Sequence, residues 1–501
     1  MSRPLGWTRL VLTVGVLGSV PVAAHSVQIP ALPGSPRVPV LPLKEAPPRA
    51  ALPAPEPIGD SIYPALGQRG LDVLHYDVTL HIDRPGTRGL RGVALLTLTS
   101  TRPLDTVSLD FLGPTVQDVR WNGRPVPWQQ DETAAKLRLS PPTPLRPGQE
   151  AQVTVRYAGQ AGVRQDQELG LDLGWVPVTD TAGRPLSNYT LSEPDGTRTF
   201  LPVNDHPSDP ATFTLHVTVP RGYIVAASGL RGTERVVDEG WEYTFDQAQP
   251  IPTYALGLQV NHFQRVDSPA VPVGPGGAAV LRRDYFPDDT TDAVRRPYAQ
   301  VGEMLRVLSG WFGPFPFPVH GAAVITPRVP ALETATLLTM PVASSFERVI
   351  VHESAHQWFG DTVVLGDWAD VWLNEGFATY AELLWLEAQG DDPAGIAATW
   401  YERLRDQGSR PLVATSEAQL FDQSAYLRGA LALHALRAAV GDPAFRGFLQ
   451  GYVREFNRRP VRTPDLLGFA ARSLGPVAAM VLRTWVESPT LPPLPALRAP
   501  R

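Results

Sequence analysis

The chain has 501 residues, 43% hydrophobic and 19% charged, with a formal net charge of −6. That length supports about two to four domains, and the mildly acidic balance excludes a chain that tracks nucleic-acid phosphates. Cysteine is absent, which excludes disulfides, a thiolate nucleophile, thiolate-held zinc and iron–sulfur clusters. Any metal must therefore be held by histidine and carboxylate.

The chain opens with Arg3 and Arg9 around an apolar run, Leu10 to Val20, followed by the small residues Val22-Ala23-Ala24. This is the pattern of a secretory signal over 1–24, with an uncleaved signal anchor as the alternative. The expected location is secreted, or the periplasm or cell envelope. No later stretch reaches the roughly 20 apolar residues of a membrane helix, so no other membrane insertion is expected. Eleven prolines fall between Pro30 and Pro64. Residues 25–66 therefore read as an extended linker that builds no core.

From residue 67 the pattern changes to period two. Tyr76, Val78, Leu80 and Ile82 alternate with polar residues, as do Val153, Val155 and Tyr157, and Phe213, Leu215, Val217 and Val219. Further strands fit at 93–99, 106–111 and 241–245, and Asn122-Gly123 reads as a turn. These segments predict an all-β sandwich or saddle domain over 67–265. Residues 266–490 read as mainly helical, with helices over 292–312, 345–359, 374–389, 394–406, 423–440, 443–456 and 476–486 and a short strand at 322–326. Residues 491–501 form a proline-rich tail. The fold class is α+β.

The chemistry concentrates in His352-Glu353-Ser354-Ala355-His356. On a helix, positions i and i+4 share a face, so both imidazoles reach one ion while Glu353 projects beside them. Eighteen residues separate His356 from Glu375, inside Trp372-Leu373-Asn374-Glu375-Gly376-Phe377-Ala378. That spacing lets the first helix end, a loop turn back and a second helix present Glu375 to the two histidines. Two nitrogens and one carboxylate with a fourth position open is the donor set of a catalytic zinc site.

This arrangement resembles the aminopeptidase N family of zinc metallopeptidases. The resemblance extends to Gly70-Leu71-Asp72-Val73-Leu74-His75-Tyr76, to Asn204-Asp205-His206-Pro207-Ser208-Asp209 and to Trp358-Phe359-Gly360, and spans about 67–490. It implies a thermolysin-like catalytic domain holding one zinc ion on His352, His356 and Glu375, with Glu353 as general base on water. Pro330-Ala331-Leu332-Glu333-Thr334 aligns with the family's exopeptidase motif, which implies that Glu333 binds the substrate's α-ammonium and places Ala331 against the substrate. Glu193, in Ser192-Glu193-Pro194-Asp195-Gly196, aligns with the residue sharing that task, and Tyr426, in Ala425-Tyr426-Leu427-Arg428-Gly429, with the tyrosine that stabilises the oxyanion. Pro330 and Thr334 stand where the family has Gly and Asn, a difference that bears on substrate fit. With 75 residues after Tyr426, the resemblance implies a short form without the family's C-terminal helical domain and with a more open site.

The implied partners are peptides with a free N-terminus, and no nucleic acid. The alternatives are a zinc endopeptidase on the same core, a non-catalytic peptide-binding relative, and a member with a second, epoxide-hydrolysing activity. Glu382, seven residues after Glu375 on nearly the same face, reads equally as a support for a ligand histidine or as an ordinary helix carboxylate. His434 and the tryptophans at 358, 368, 372 and 385 read as packing residues. Asn188-Tyr189-Thr190 fits a glycosylation sequon.

Overall fold

The alternating segments form a twisted sheet because one side of each strand is apolar. The computed structural model describes residues 52–166 and 170–496, so the expected signal, most of the proline-rich leader and the last five residues lie outside it. Eight strands order as Leu230–Val237, Gly240–Ile251, Ala211–Val219, Leu71–His81, Gly89–Ser100, Ala151–Gln160, Thr115–Trp121 and Arg124–Pro125. All neighbours are antiparallel except Leu71–His81 and Ala211–Val219, which run parallel with Tyr76 opposite Phe213 and Val78 opposite Leu215. The Tyr76 and Phe213 rings stack 4.9 Å apart. Asn122 and Gly123 take φ of 47° and 77°, the left-handed pair that a two-residue hairpin requires. A five-stranded sheet carries Leu171–Thr179 and Pro185–Leu191, and a three-stranded sheet pairs Val107–Asp110 with Lys136–Leu139.

The mainly helical region begins with a sheet. Phe263–Val271, Val280–Pro287, Val319–Ile325 and Leu338–Pro341 form four strands, the last three mutually parallel. The expected boundary at 265 therefore falls inside a strand, and 266–287 holds two strands joined by a turn at Pro275–Gly277. The helix expected over 292–312 is broken: Asp292–Arg295 is followed by a tighter turn, Arg296–Gln300, containing Pro297, and only Val301–Phe312 is a regular helix. Proline withholds the N–H that a continuous helix would use. Thr463–Leu474 is a helix that the sequence reading did not assign, although Thr463, Leu466, Leu467 and Ala470 supply its buried face. Helices at Glu347–Ala355, Trp372–Ala388, Pro393–Gln407, Gly429–Val440, Asp442–Glu455 and Pro476–Glu487 lie near their expected places. Among the described residues no helix is long and apolar enough to cross a membrane.

The end of the leader is not a plain linker. After the prolines at 53, 55 and 57, Asp60, Tyr63 and Leu66 are buried in a core shared by the β and helical parts. Asp60 accepts from the Ile62 and Tyr63 amides at 2.8 and 2.7 Å through one oxygen. Its other oxygen bonds His206 Nε2 at 3.0 Å and the Trp368 amide at 2.7 Å. Ser61 Oγ donates to Asp367 at 2.8 Å, and Tyr63 meets Trp368 edge to face. One carboxylate thus joins leader, β domain and catalytic domain, which is why this segment folds while its composition reads as extended.

Burial raises the Asp60 carboxyl, but the bonds from His206, Trp368 and Tyr63 outweigh it and leave its pKa at about 2. With an unfolded value of about 3.9, its stabilisation is complete above about pH 4 and is lost as the pH falls toward 2. Asp60→Ala should cost about 3 kcal/mol near neutrality by stranding buried donors. Urea midpoints of the two proteins should differ at pH 6 and converge toward pH 2.5.

Candidate active site

Two helices and a loop supply the site. Glu347–Ala355 ends in a turn closed by Gly360, whose φ is 124°. Trp372–Ala388 returns beside it. At Gly376 this second helix touches Gly429, and a Cβ added at either glycine would lie 2.9 or 2.8 Å from backbone of the other. The close approach needs glycine on both sides, and it brings Ser424–Arg428, a single π-helical turn, against the site. Tyr426 lies in that turn, its ring stacked near His352 at 5.9 Å.

The structure brings His352, His356 and Glu375 together, with their ligand atoms all within 4.8 Å of one another. Glu375 Oε2 lies 3.2 Å from His352 Nε2 and 3.7 Å from His356 Nε2. The remaining ring nitrogens are engaged elsewhere. His352 Nδ1 bonds Glu382 at 2.9 Å, and His356 Nδ1 donates to the Phe359 carbonyl at 3.0 Å. Those bonds fix Nδ1 as the protonated nitrogen and leave both Nε2 lone pairs facing one carboxylate oxygen. Two ring nitrogens converging on one carboxylate oxygen form a donor set that would suit a divalent cation. Glu382 is in turn bonded to Arg348 at 3.0 Å, so its role as a histidine support is the one the geometry favours.

A cavity of about 220 Å³ opens onto this cluster, lined by His352, Glu353, His356, Glu375, Glu193, Ala331, Glu333, Tyr426 and apolar side chains including Leu173, Leu191 and Phe421. No lysine or arginine lines it among the described residues. Glu353 and Glu333 are buried, and Glu193 Oε1 is buried without a hydrogen-bond partner. Burial, then repulsion from Glu333, Glu375, Glu353 and Asp361, drives the Glu193 carboxyl well above its ordinary range. Burial also raises Glu333, against the pull of His356, and lifts Glu353 to about 7 against the pull of both histidines. The cavity therefore has carboxylate charge with too few cations to match it, which favours a positively charged guest.

Every expected site residue faces this one cavity or its donor cluster. Pro330 also lines it, but Thr334 does not. The Thr334 hydroxyl donates to the Leu337 carbonyl and lies 3.0 Å from Thr339 Oγ1, so that substitution closes a turn behind Glu333. Tyr254, Asn374 and Asp361 border the site without having been assigned a role from the sequence; Asn374 and Asp361 adjoin the quoted motifs, whereas no local spacing links Tyr254 to the helix of His352 and His356. His434 is buried and packs near Tyr380, and burial holds it neutral at about 4. The four tryptophans are buried as packing residues. Asn188 is buried, accepting from the Gly86 amide and donating to the Thr87 carbonyl, so its amide is not available for glycosylation in the folded chain.

The family model described as peptidase family M1 domain matches residues 321–485, and that described as peptidase M1 N-terminal domain matches 73–255. The chain is similar to a solved M1 zinc metallopeptidase from Deinococcus radiodurans, at 50% identity and a TM-score of 0.84, covering 89% of this chain and 100% of that one. A mutant M1 zinc metallopeptidase from that organism, bound to a Tyr-Ser-Ala substrate, is 51% identical with a TM-score of 0.84, covering 88% of this chain and 100% of that one. A probable aminopeptidase 1 from Sulfurisphaera tokodaii is 25% identical over 420 residues, 77% of this chain and 50% of that protein. The chain thus spans about half the length of that relative.

Glu382→Ala should free the His352 ring and weaken zinc binding by about 10- to 100-fold. Competition against a graded series of chelators measures this, and unchanged affinity would show that His352 is oriented without Glu382.

Proposed function

The chain belongs to the M1 peptidase family, and on that footing we propose that it is a zinc-dependent aminopeptidase removing residues from free peptide N-termini. The observation that carries the reading is the pairing of an open His352, His356 and Glu375 cluster with two further carboxylates, the partly buried Glu193 and the buried Glu333, in a cavity that no lysine or arginine lines among the described residues. Zinc held by these three residues supplies Lewis acidity toward a carbonyl oxygen and makes water easier to deprotonate.

The chain's own residues do the rest. Glu333 and Glu193 pair the entering α-ammonium, and their position sets the cut one residue from the N-terminus. An ammonium entering this partly dry space is stable only when so paired. Glu353, lifted by burial to about 7, takes a proton from the attacking water and passes it to the leaving amine. The Tyr426 hydroxyl, kept protonated by burial and by the surrounding carboxylates, donates to oxygen charge that develops in the transition state. Leu173, Leu191 and Phe421 offer apolar surface to the first side chain. The substrate-bound relative, which holds a Tyr-Ser-Ala substrate, supports peptides as the substrate class. Arg3, Arg9 and the apolar run after them support export from the cytoplasm as part of the same proposal.

Glu353→Gln should lower turnover of aminoacyl fluorogenic substrates by about 10²- to 10⁴-fold. A chelator should abolish wild-type hydrolysis, and zinc should restore it. N-acetylated substrates should be poor. Chelator-insensitive hydrolysis, or equal cleavage of blocked and free substrates, would refute the reading.

A further inference from the structure

Glu333 is buried, and its Oε1 has two polar neighbours. The Tyr254 hydroxyl donates to it at 3.3 Å, and His356 Nδ1 lies 3.8 Å away. The same hydroxyl accepts from Asn374 Nδ2 at 3.3 Å, and Asn374 precedes Glu375. Tyr254 belongs to the β domain, in the turn Thr253–Ala255. Glu333 and Asn374 belong to the catalytic domain, so this phenol crosses the seam between the two.

The turn is pinned on both sides. Thr253 donates to Asp205 at 2.6 Å and its carbonyl accepts from Thr197 at 2.9 Å. The Ala255 carbonyl accepts from the amide of Ala335, two residues past Glu333, at 2.8 Å. Trp368 backs the Tyr254 ring at 5.3 Å. A Cβ at Gly360 would sit 3.1 Å from the hydroxyl, so the loop after the first site helix leaves room for it.

We propose that Tyr254 is a positioning residue for amine recognition: its hydroxyl holds the Glu333 carboxylate off the His356 ring and ties it to Asn374 at the start of the second site helix. This rests on Glu333 as an ammonium-binding residue. Without the phenol, the buried carboxylate keeps His356 Nδ1 as its neighbour, and that nitrogen already bonds Phe359. Glu333 then drifts from the place where an ammonium needs it, while the bonds made by the rest of the substrate are untouched.

The test compares binding of L-tryptophan and of 3-indolepropionate, its analogue without the amine, to the zinc-loaded enzyme by calorimetry. Wild type should prefer L-tryptophan, and Tyr254→Phe should reduce that preference about tenfold, the worth of one hydrogen bond to a charged group. In a Glu333→Gln background, Tyr254→Phe should cause no further reduction. Asn374→Ala should shift the preference the same way by less, and it decides the matter if Tyr254→Phe does not fold. Equal weakening of both ligands, an unchanged preference, or a loss that persists in the Glu333→Gln background would overturn the proposal. A wild-type enzyme that binds both ligands equally would instead overturn the ammonium role of Glu333, and this inference with it.

Discussion

Carboxylates that outnumber their basic neighbours in a largely buried cluster are the constraint on which this molecule depends. Glu193, Glu333, Glu353, Glu375 and Asp361 share one region with two imidazoles. Such a cluster is costly in a dry interior unless cations enter it. The surrounding structure holds it open regardless. The glycine contact at Gly376 and Gly429 fixes how near the helices come, the turn at Gly360 redirects the chain, and Glu382 and Phe359 orient the histidine rings. Stability is spent at one place, and a site suited to a metal ion and, as proposed above, to an ammonium is the result.

That cluster is assembled across the seam between the two domains. Glu193 comes from the β domain, and Glu333, Glu353 and Tyr426 from the catalytic domain. Their relative placement depends on bonds that cross the seam far from the chemistry. Asp60 holds the leader, His206 and Trp368 in one network. Trp368 packs between Tyr63 and Tyr254, and Tyr254 reaches Glu333. The segment before the β domain is thus part of the frame that reaches Glu333 through Tyr254.

Much of the fold was legible because periodicity is local. Alternation at Tyr76–Ile82 and Phe213–Val219 predicts strands whose inward residues are buried. The sequence alone did not reveal that the catalytic part opens with Phe263–Val271 and Val280–Pro287, or that Thr463–Leu474 is a helix. Val280–Pro287 is buried on both sides, which removes the alternation that marks a half-exposed strand, whereas Phe263–Val271 is mostly exposed and polar and so carries little apolar pattern. The proline-rich leader misled in a similar way. Composition describes its average, whereas Asp60 acts through four bonds that composition does not encode.

The sequence by itself determined the metal-binding residues, since i and i+4 on a helix is a local geometry, and a cysteine-free chain leaves histidine and carboxylate as donors. It also determined the order of a β domain before a helical one. Tertiary structure decided what stands around those donors. Glu382 faces a histidine rather than solvent, Thr334 turns away from the cavity, Asn188 is buried, and Tyr254 crosses from one domain to bond a carboxylate of the other. Apart from the local turn at Thr334, these contacts join residues 30 to 102 positions apart and have no signature in local spacing. They form only when the packed core fixes which surfaces meet.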